Sequence, residues 1–377
     1  MIDYPRYRVA VAHVAPVFLD TDRTVAKACD VIGEVARNGG RLVAFPEAFI
    51  PGFPVWVALQ TPTRGHDAFR ALAAQALAID GPEVQQLREA ARRHELVVSI
   101  GFTEGTAASV GCLWNANVLI GADGTILNHH RKLVPTFYEK LVWANGDGAG
   151  LRVTQTALGR IGMLICGENT NPLARYALMA EGEQVHISTY PPVWPTRPPG
   201  SSGNYDLAEA IRIRAGAHSF EAKAFNIVAA SPVDDSLLGK LAAFGIDAET
   251  ALAGEPRGVS MVLGPTGARI GEPVERHETI LYAEIDLAAC VEPKQFHDVV
   301  GYYNRFDVFQ LHVDRSANRP ARFSDEPQDG VSGTRQDGAS AAAARAETSR
   351  DVLTGDRSSG KHDKGDGYGS EDRPWAP

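Results

Sequence analysis

Residues 7–45 read YRVAVAHVAPVFLDTDRTVAKACDVIGEVARNGGRLVAF. The first ten, Tyr7 to Pro16, are a β-rich run closed by proline. Asp20 or Thr21 can cap a helix that follows, and Val25, Cys29, Ile32 and Val35 then fall on one face at three-to-four spacing. Gly39-Gly40 ends that helix, and Arg41 to Phe45 form a short apolar strand stopped by Pro46. Strand, helix and strand in this order make one unit of an α/β fold.

The same alternation runs outward from this unit. Helices are expected over His66–Ile79 and from Pro82, where proline at the first turn and Glu83 beside it suit a helix N-terminus. LVVSIGF (Leu96–Phe102) reads as a buried strand. NANVLIG (Asn115–Gly121) and TILNHHRK (Thr125–Lys132) flank Asp123-Gly124, a hairpin signal. VTQTA (Val153–Ala157) and RIGMLIC (Arg160–Cys166) flank a second turn at Leu158-Gly159. Pro172–Glu181 reads as a helix, QVHISTY (Gln184–Tyr190) as a strand, and Tyr205–Lys223 as a long helix. NIVAAS, SMVLG and TILYAEIDL read as later strands. Because hairpins are mixed with strand–helix units, the pattern predicts a mixed sheet with helices outside it, or two sheets packed together.

The 377 residues fit two domains, or one large α/β domain with a tail. After about Arg319 the chain is rich in Gly, Ser, Ala, Asp and Arg and nearly empty of large apolar residues, which predicts a disordered or weakly ordered tail. A net charge of -9 and a pI of about 5.7 argue against a nucleic-acid partner, which needs a basic face. They fit a protein acting on small uncharged molecules. The four cysteines, Cys29, Cys112, Cys166 and Cys290, form neither a disulfide framework nor a zinc motif. The N-terminus lacks signal-peptide character and no apolar run spans a bilayer, so the cytoplasm is the expected location and no membrane partner is expected.

In α/β sheets, chemistry collects where strands leave the core. Three strand ends carry reactive groups. Glu47 follows a buried strand between aromatics (Phe45-Pro46-Glu47-Ala48-Phe49); it is either a desolvated carboxylate with a raised pKa, suited to general-base work, or a solvated loop residue. Lys132 ends the strand His129-His130-Arg131-Lys132; it either stabilises developing negative charge or belongs to a basic surface turn. Cys166 is delivered by Ile161–Ile165 to a turn at Gly167, the strand–elbow–helix arrangement that exposes a nucleophile, although a lone cysteine is more often inert in a core. The other three cysteines fit that inert reading better. His129 and His130 point to opposite faces of a strand and do not readily share a metal, so no metal and no cofactor are expected.

Together the three motifs resemble the nitrilase superfamily, whose members carry a Glu–Lys–Cys triad in this order. The matching stretches are FPEAFIPGFP (Phe45–Pro54), HHRKLVPTFYE (His129–Glu139) and CGENTNPLARYALMAEGEQVHISTYPPVWP (Cys166–Pro195), and the third looks most like the nitrilase branch. The resemblance implies a four-layer α-β-β-α sandwich of two mixed sheets with helices outside. It implies catalytic roles for Glu47, Lys132 and Cys166, and for Glu139 as a second glutamate that holds the lysine. It implies a catalytic domain over 1–288, an extension over 289–318 that packs on a partner subunit, and the polar tail over 319–377. Members commonly form homodimers or larger homo-oligomers, some of them spiral filaments. The apolar segment Gly301–Phe309 suits such an interface. One departure concerns the pocket: many nitrilases carry tryptophan after the cysteine, where this chain has Gly167.

The expected reaction is hydrolysis of a small-molecule nitrile to its acid and ammonia. A nearby cation is expected to lower the pKa of the thiol. Gly167, Tyr190, Trp194 and Phe53 are candidate substrate-binding residues, the three aromatics being placed on loops after strands or else in ordinary packing under a loop. Gly146-Asp147-Gly148-Ala149-Gly150 lacks the context of a phosphate loop and reads as a turn. Two other readings stand: an amidase using the same triad, and a non-catalytic filament-forming scaffold.

Overall fold

Eleven strands account for the sheets among the described residues, which are 4–318 and 321 of a computed structural model. They are β1 (Arg6–His13), β2 (Gly40–Ala44), β3 (Val97–Gly105), β4 (Leu113–Ile120), β5 (Ile126–Arg131), β6 (Thr154–Thr156), β7 (Gly159–Ile165), β8 (Val185–Tyr190), β9 (Phe225–Ala230), β10 (Met261–Leu263) and β11 (Thr279–Asp286). Six form one sheet in the order β11-β1-β2-β3-β4-β5, and five form another in the order β10-β9-β8-β7-β6. Each sheet is mixed. The strands β1, β2 and β3 run parallel, as do β7, β8 and β9, while β4, β5, β6, β10 and β11 pair antiparallel with their neighbours.

Side-chain alternation decides how the layers stack. In β1, Val9 and Val11 face one way and meet Ile187, Ile227 and Val262 of the second sheet. Ala10 and Ala12 face the other way, toward Val25, Ile32 and Val35 of the helix Thr21–Arg37 and Leu87 of the helix Pro82–Arg93. The second sheet carries its own outer cover. The helix Pro172–Ala180 packs on Leu164, and the helix Leu207–Ala222 packs on Val228 and Met261. The result is the four-layer α-β-β-α sandwich, with both sheets buried on both faces.

Local differences from the sequence reading have local causes. The helix expected over His66–Ile79 stops at Ala74, because Leu77 exchanges backbone hydrogen bonds with Thr103 and Gly105 at the end of β3. Tyr190 ends β8, as the strand reading of Gln184–Tyr190 has it, and is fully buried there and not on a loop after the strand, where its candidate pocket role had put it. A helix over Asp235–Ala243, capped by the Asp234 side chain, was not expected. The segment Gly148–Gly150 is a short 3-10 turn, as its composition suggests.

A 3-10 turn, Leu287–Cys290, and a helix, Val291–Phe296, lead out of the sandwich. The chain then runs back over its own surface. Leu311 packs beside Leu151 and Leu164, Arg315 pairs with Glu181 at 2.7 Å, and the Asn318 N–H donates to Asp147 at 2.9 Å. Within this extension Tyr302, Tyr303, Phe306 and Phe309 are exposed. Apart from Ala321, the tail proposed for 319–377 lies outside the described residues. No described helix is long and apolar enough to cross a membrane.

Candidate active site

Glu47 and Lys132 follow β2 and β5 of the first sheet, and Cys166 follows β7 of the second. Packing the sheets face to face brings these three ends together. One oxygen each of Glu47 and Glu139 and the sulfur of Cys166 lie within 4.8 Å of one another. The Lys132 ammonium donates to Glu47 Oε1 at 2.8 Å and to Glu139 Oε2 at 2.5 Å. All four residues are buried, from 0% exposed at Glu139 to 4% at Cys166.

Two strands separate β2 from β5, so something must span the gap between Glu47 and Lys132. Asn115 on β4 does this. Its Nδ2 donates to Glu47 Oε1 at 2.7 Å, and its carbonyl accepts the Lys132 backbone N–H at 2.8 Å. Glu139 is held by the Thr136 N–H at 2.9 Å. Sequence reading missed Asn115; the available signal was a polar pair, Asn115 and Asn117, in an otherwise apolar buried strand.

Two carboxylates around one buried ammonium do not all carry full charge easily. Burial raises the Glu47 carboxyl to about 7, against the pull of Lys132 and with help from the Glu139 charge. Burial also opposes the charge on Lys132, but Glu139 and Glu47 outweigh it and hold the ammonium well above the usual lysine value. Burial pushes the Cys166 thiol far up, Glu47 adds to the rise, and Lys132 only moderates it. The direction is opposite to the low-pKa thiol expected: desolvation outweighs the cation and moves the thiol pKa up. Glu47 Oε2 is buried without a hydrogen-bond partner and is free to take a proton.

Cys166 begins a 3-10 turn, Cys166–Thr170, in the left-handed region at φ 50°. A non-glycine residue there is strained, and such strain persists only where the surroundings hold it. Glu168 supplies much of that hold. Its carboxylate accepts the Ile165 N–H at 2.8 Å, the Leu133 N–H at 2.6 Å and a contact from His130 Nε2 at 2.9 Å. It thereby ties the cysteine turn to the lysine strand end. The sequence signal for this pair was weak: an acid two residues after Cys166 and a histidine two before Lys132.

A second layer backs the turn. Asn169 Nδ2 donates to the Cys166 carbonyl at 3.1 Å, and Asn169 Oδ1 meets His186 Nε2 at 2.9 Å. His186 Nδ1 meets Glu183 at 2.7 Å, and His218 Nε2 meets the other Glu183 oxygen at 2.6 Å. Glu183, His186 and His218 could be taken for a metal site. Their spacings are those of hydrogen bonds, shorter than the roughly 3.3 Å between tetrahedral ligands about 2.0–2.1 Å from zinc.

A cavity of about 470 Å³ opens on Cys166. Gly167 and Trp194, two of the expected wall residues, line it together with Thr136, Phe137 and Arg214. A β-carbon at Gly167 would come within 2.5 Å of Thr136 Oγ1, so a larger residue there needs the Thr136 side chain to move. Tyr190 and Phe53 are not in the lining. Tyr190 lies under it, beneath the Arg214 guanidinium at 5.3 Å. Phe53 packs edge-on against Trp143 at 5.6 Å, within a separate apolar cluster.

The Carbon-nitrogen hydrolase family profile matches residues 8–295. An arylacetonitrilase of Aspergillus kawachii is 35% identical over 320 residues, covering 84% of this chain and 94% of that protein. A cyanide hydratase of Botryotinia fuckeliana is 34% identical over 335 residues, covering 87% and 88%. The crystal structure of a carbon-nitrogen hydrolase from Helicobacter pylori superposes with a TM-score of 0.62 at 19% identity, over 80% of this chain and 97% of that one, a likeness of fold. With a family profile across most of the chain and relatives of this similarity along nearly their whole length, this protein belongs to the carbon–nitrogen hydrolase family, the nitrilase superfamily.

Proposed function

We propose that this protein is a nitrilase, converting an organic nitrile and two waters into a carboxylic acid and ammonia. The observation that carries the reading is the buried Glu47–Lys132–Glu139 cluster set against the Cys166 sulfur. With the thiol pKa raised by burial, Glu47 takes its proton as the sulfur attacks the nitrile carbon. The S–C bond forms, one C–N π bond breaks, and the nitrogen receives a proton, giving a thioimidate. Lys132 and the N–H groups of the cysteine turn stabilise the developing charge. Glu47 then activates water, ammonia leaves, and a thioester remains. A second water releases the acid and restores the thiol. Glu139 keeps the Lys132 ammonium oriented.

The relatives named arylacetonitrilase and cyanide hydratase both act through their names on C≡N groups, which supports the nitrile over the amide. The test is ammonia release from a nitrile panel with mass detection of acid and amide. Cys166→Ala should release none, and the wild-type protein should form a transient covalent adduct on Cys166. Turnover of amides with none of nitriles would replace this reading by the amidase one. The same reading includes self-association: the exposed aromatics Tyr302, Tyr303, Phe306 and Phe309 form the face offered to a second copy.

A further inference from the structure

Arg214 lies on the helix Leu207–Ala222 and lines the same cavity as Cys166. Its guanidinium is poorly matched inside the protein. Nε donates to the Ala210 carbonyl at 3.0 Å, Nη1 reaches Thr170 Oγ1 only at 3.5 Å, and the group sits over the Tyr190 ring. Among the described residues Nη2 is cut off from solvent and has no hydrogen-bond partner. Among the described residues no carboxylate lies within 4.0 Å of it, whereas Arg175 and Arg212 have Glu221 and Glu209. Desolvated charges are ordinarily paired, because an unpaired one gives up its hydration for nothing.

The rest of the cavity points the same way. Lys140 stands exposed at its rim. The single lining carboxylate, Glu168, is used by His130 and two backbone N–H groups. The lining thus carries two cations, Arg214 and Lys140, against one carboxylate already engaged, with the Glu47–Lys132–Glu139 cluster behind Cys166. A guanidinium short of partners at a cavity wall favours an anionic group beside it. Its other walls, Leu133, Trp194 and Leu207, are apolar and suit a short carbon chain.

We propose that Arg214 is a specificity-determining residue, and that the preferred substrate is a nitrile bearing a carboxylate, which the guanidinium receives while the nitrile carbon meets Cys166. This rests on the nitrilase reading and narrows its substrate class. The carboxylate completes Nη2 and supplies the missing counter-charge. Trp194 and Leu207 cover the carbon chain between the two ends.

The test compares cyanocarboxylates of increasing length (cyanoacetate, 3-cyanopropionate, 4-cyanobutyrate) with their methyl esters, by ammonia release. The wild-type protein should favour at least one acid over its ester by about 10- to 100-fold in kcat/KM, the range expected for a charge-assisted bond. Higher salt should erode that preference little, since the site is largely desolvated. Arg214→Met should collapse the acid-to-ester ratio, and Arg214→Lys should restore part of it. Nitrile turnover with no preference for any acid overturns this proposal and leaves the nitrilase reading standing. An equal loss on acid and ester in Arg214→Met, with the ratio kept, also overturns it and assigns Arg214 to the reacting sulfur. Turnover of amides only overturns both.

Discussion

At Glu47 burial raises the carboxyl to about 7. In the proposed mechanism Glu47 is the base and acts when ionised. The kcat/KM profile of the wild-type protein should therefore rise through about pH 7, not through the usual glutamate range. Glu47→Gln keeps the shape but removes the base, and should cost about 100- to 10,000-fold in kcat. A flat profile between pH 5 and 8 would exclude Glu47 as the base. Beside the nucleophile, a β-carbon at Gly167 collides with Thr136, whose backbone N–H holds Glu139. Gly167→Ala should cost about 1–3 kcal/mol in overpacking and lower kcat, and adding Thr136→Ala should recover part of both. Denaturant titration and steady-state kinetics of the two variants check this. Glu47, Lys132 and Cys166 were legible in the sequence because each ends a recognisable strand. Asn115, Glu168 and Arg214 were not, because their roles depend on partners 35 or more residues away or on a cavity that no spacing encodes.

At the level of elements, Glu183 fastens the helix Leu207–Ala222 to β8. It receives His218 from the helix and His186 from the strand, all three buried. Burial holds the His218 ring down to about 4, while for Glu183 the two histidines overcome burial and hold it at about 2. Between about 6.5 and 4 the unfolded chain binds a proton that the folded His218 refuses, so stability falls as pH drops through that window. Below about 4.5 Glu183 adds a loss of the same sign. Urea midpoints should thus decline from pH 7 to pH 4.5, and His218→Gln should flatten the decline. Unchanged slopes in that variant would remove His218 from the account. Glu183→Ala strands two buried histidines and should cost about 3–5 kcal/mol. The strands and their hairpins were mostly legible from alternation and turn residues. The helix ending at Ala74 was not, because a tertiary pairing of Leu77 with the end of β3 overrides a continuing helical pattern.

For the whole molecule, the exposed aromatics of the extension are the feature that monomer packing does not use. Exposed apolar side chains of this kind suit the contact with a second copy proposed above. Tyr303→Ser combined with Phe309→Ser should shift the protein to smaller species in light scattering after size exclusion, with the sandwich intact by circular dichroism. No change in mass would remove this segment from the interface. The meeting of Arg214 and Lys140 in one cavity lining is likewise a property of the whole: a net charge of -9 gives no sign of it, and only the folded arrangement places the two together.

By itself the sequence determined the α/β class, most of the strands along the chain and the three strand ends with reactive groups, because each follows from periodicity and turn chemistry within a few residues; their order in two sheets came from the tertiary structure. The resemblance added Glu139 and the sandwich. Only the tertiary structure decided which way the Cys166 thiol pKa moves. Lys132 next to Cys166 predicts a lowered thiol pKa, and complete burial with two carboxylates at hand reverses it. It also decided which wall residues meet the cavity, keeping Gly167 and Trp194 and turning Phe53 away. Desolvation and side-chain direction are set by what packs around a residue, and that is not written in its neighbours along the chain.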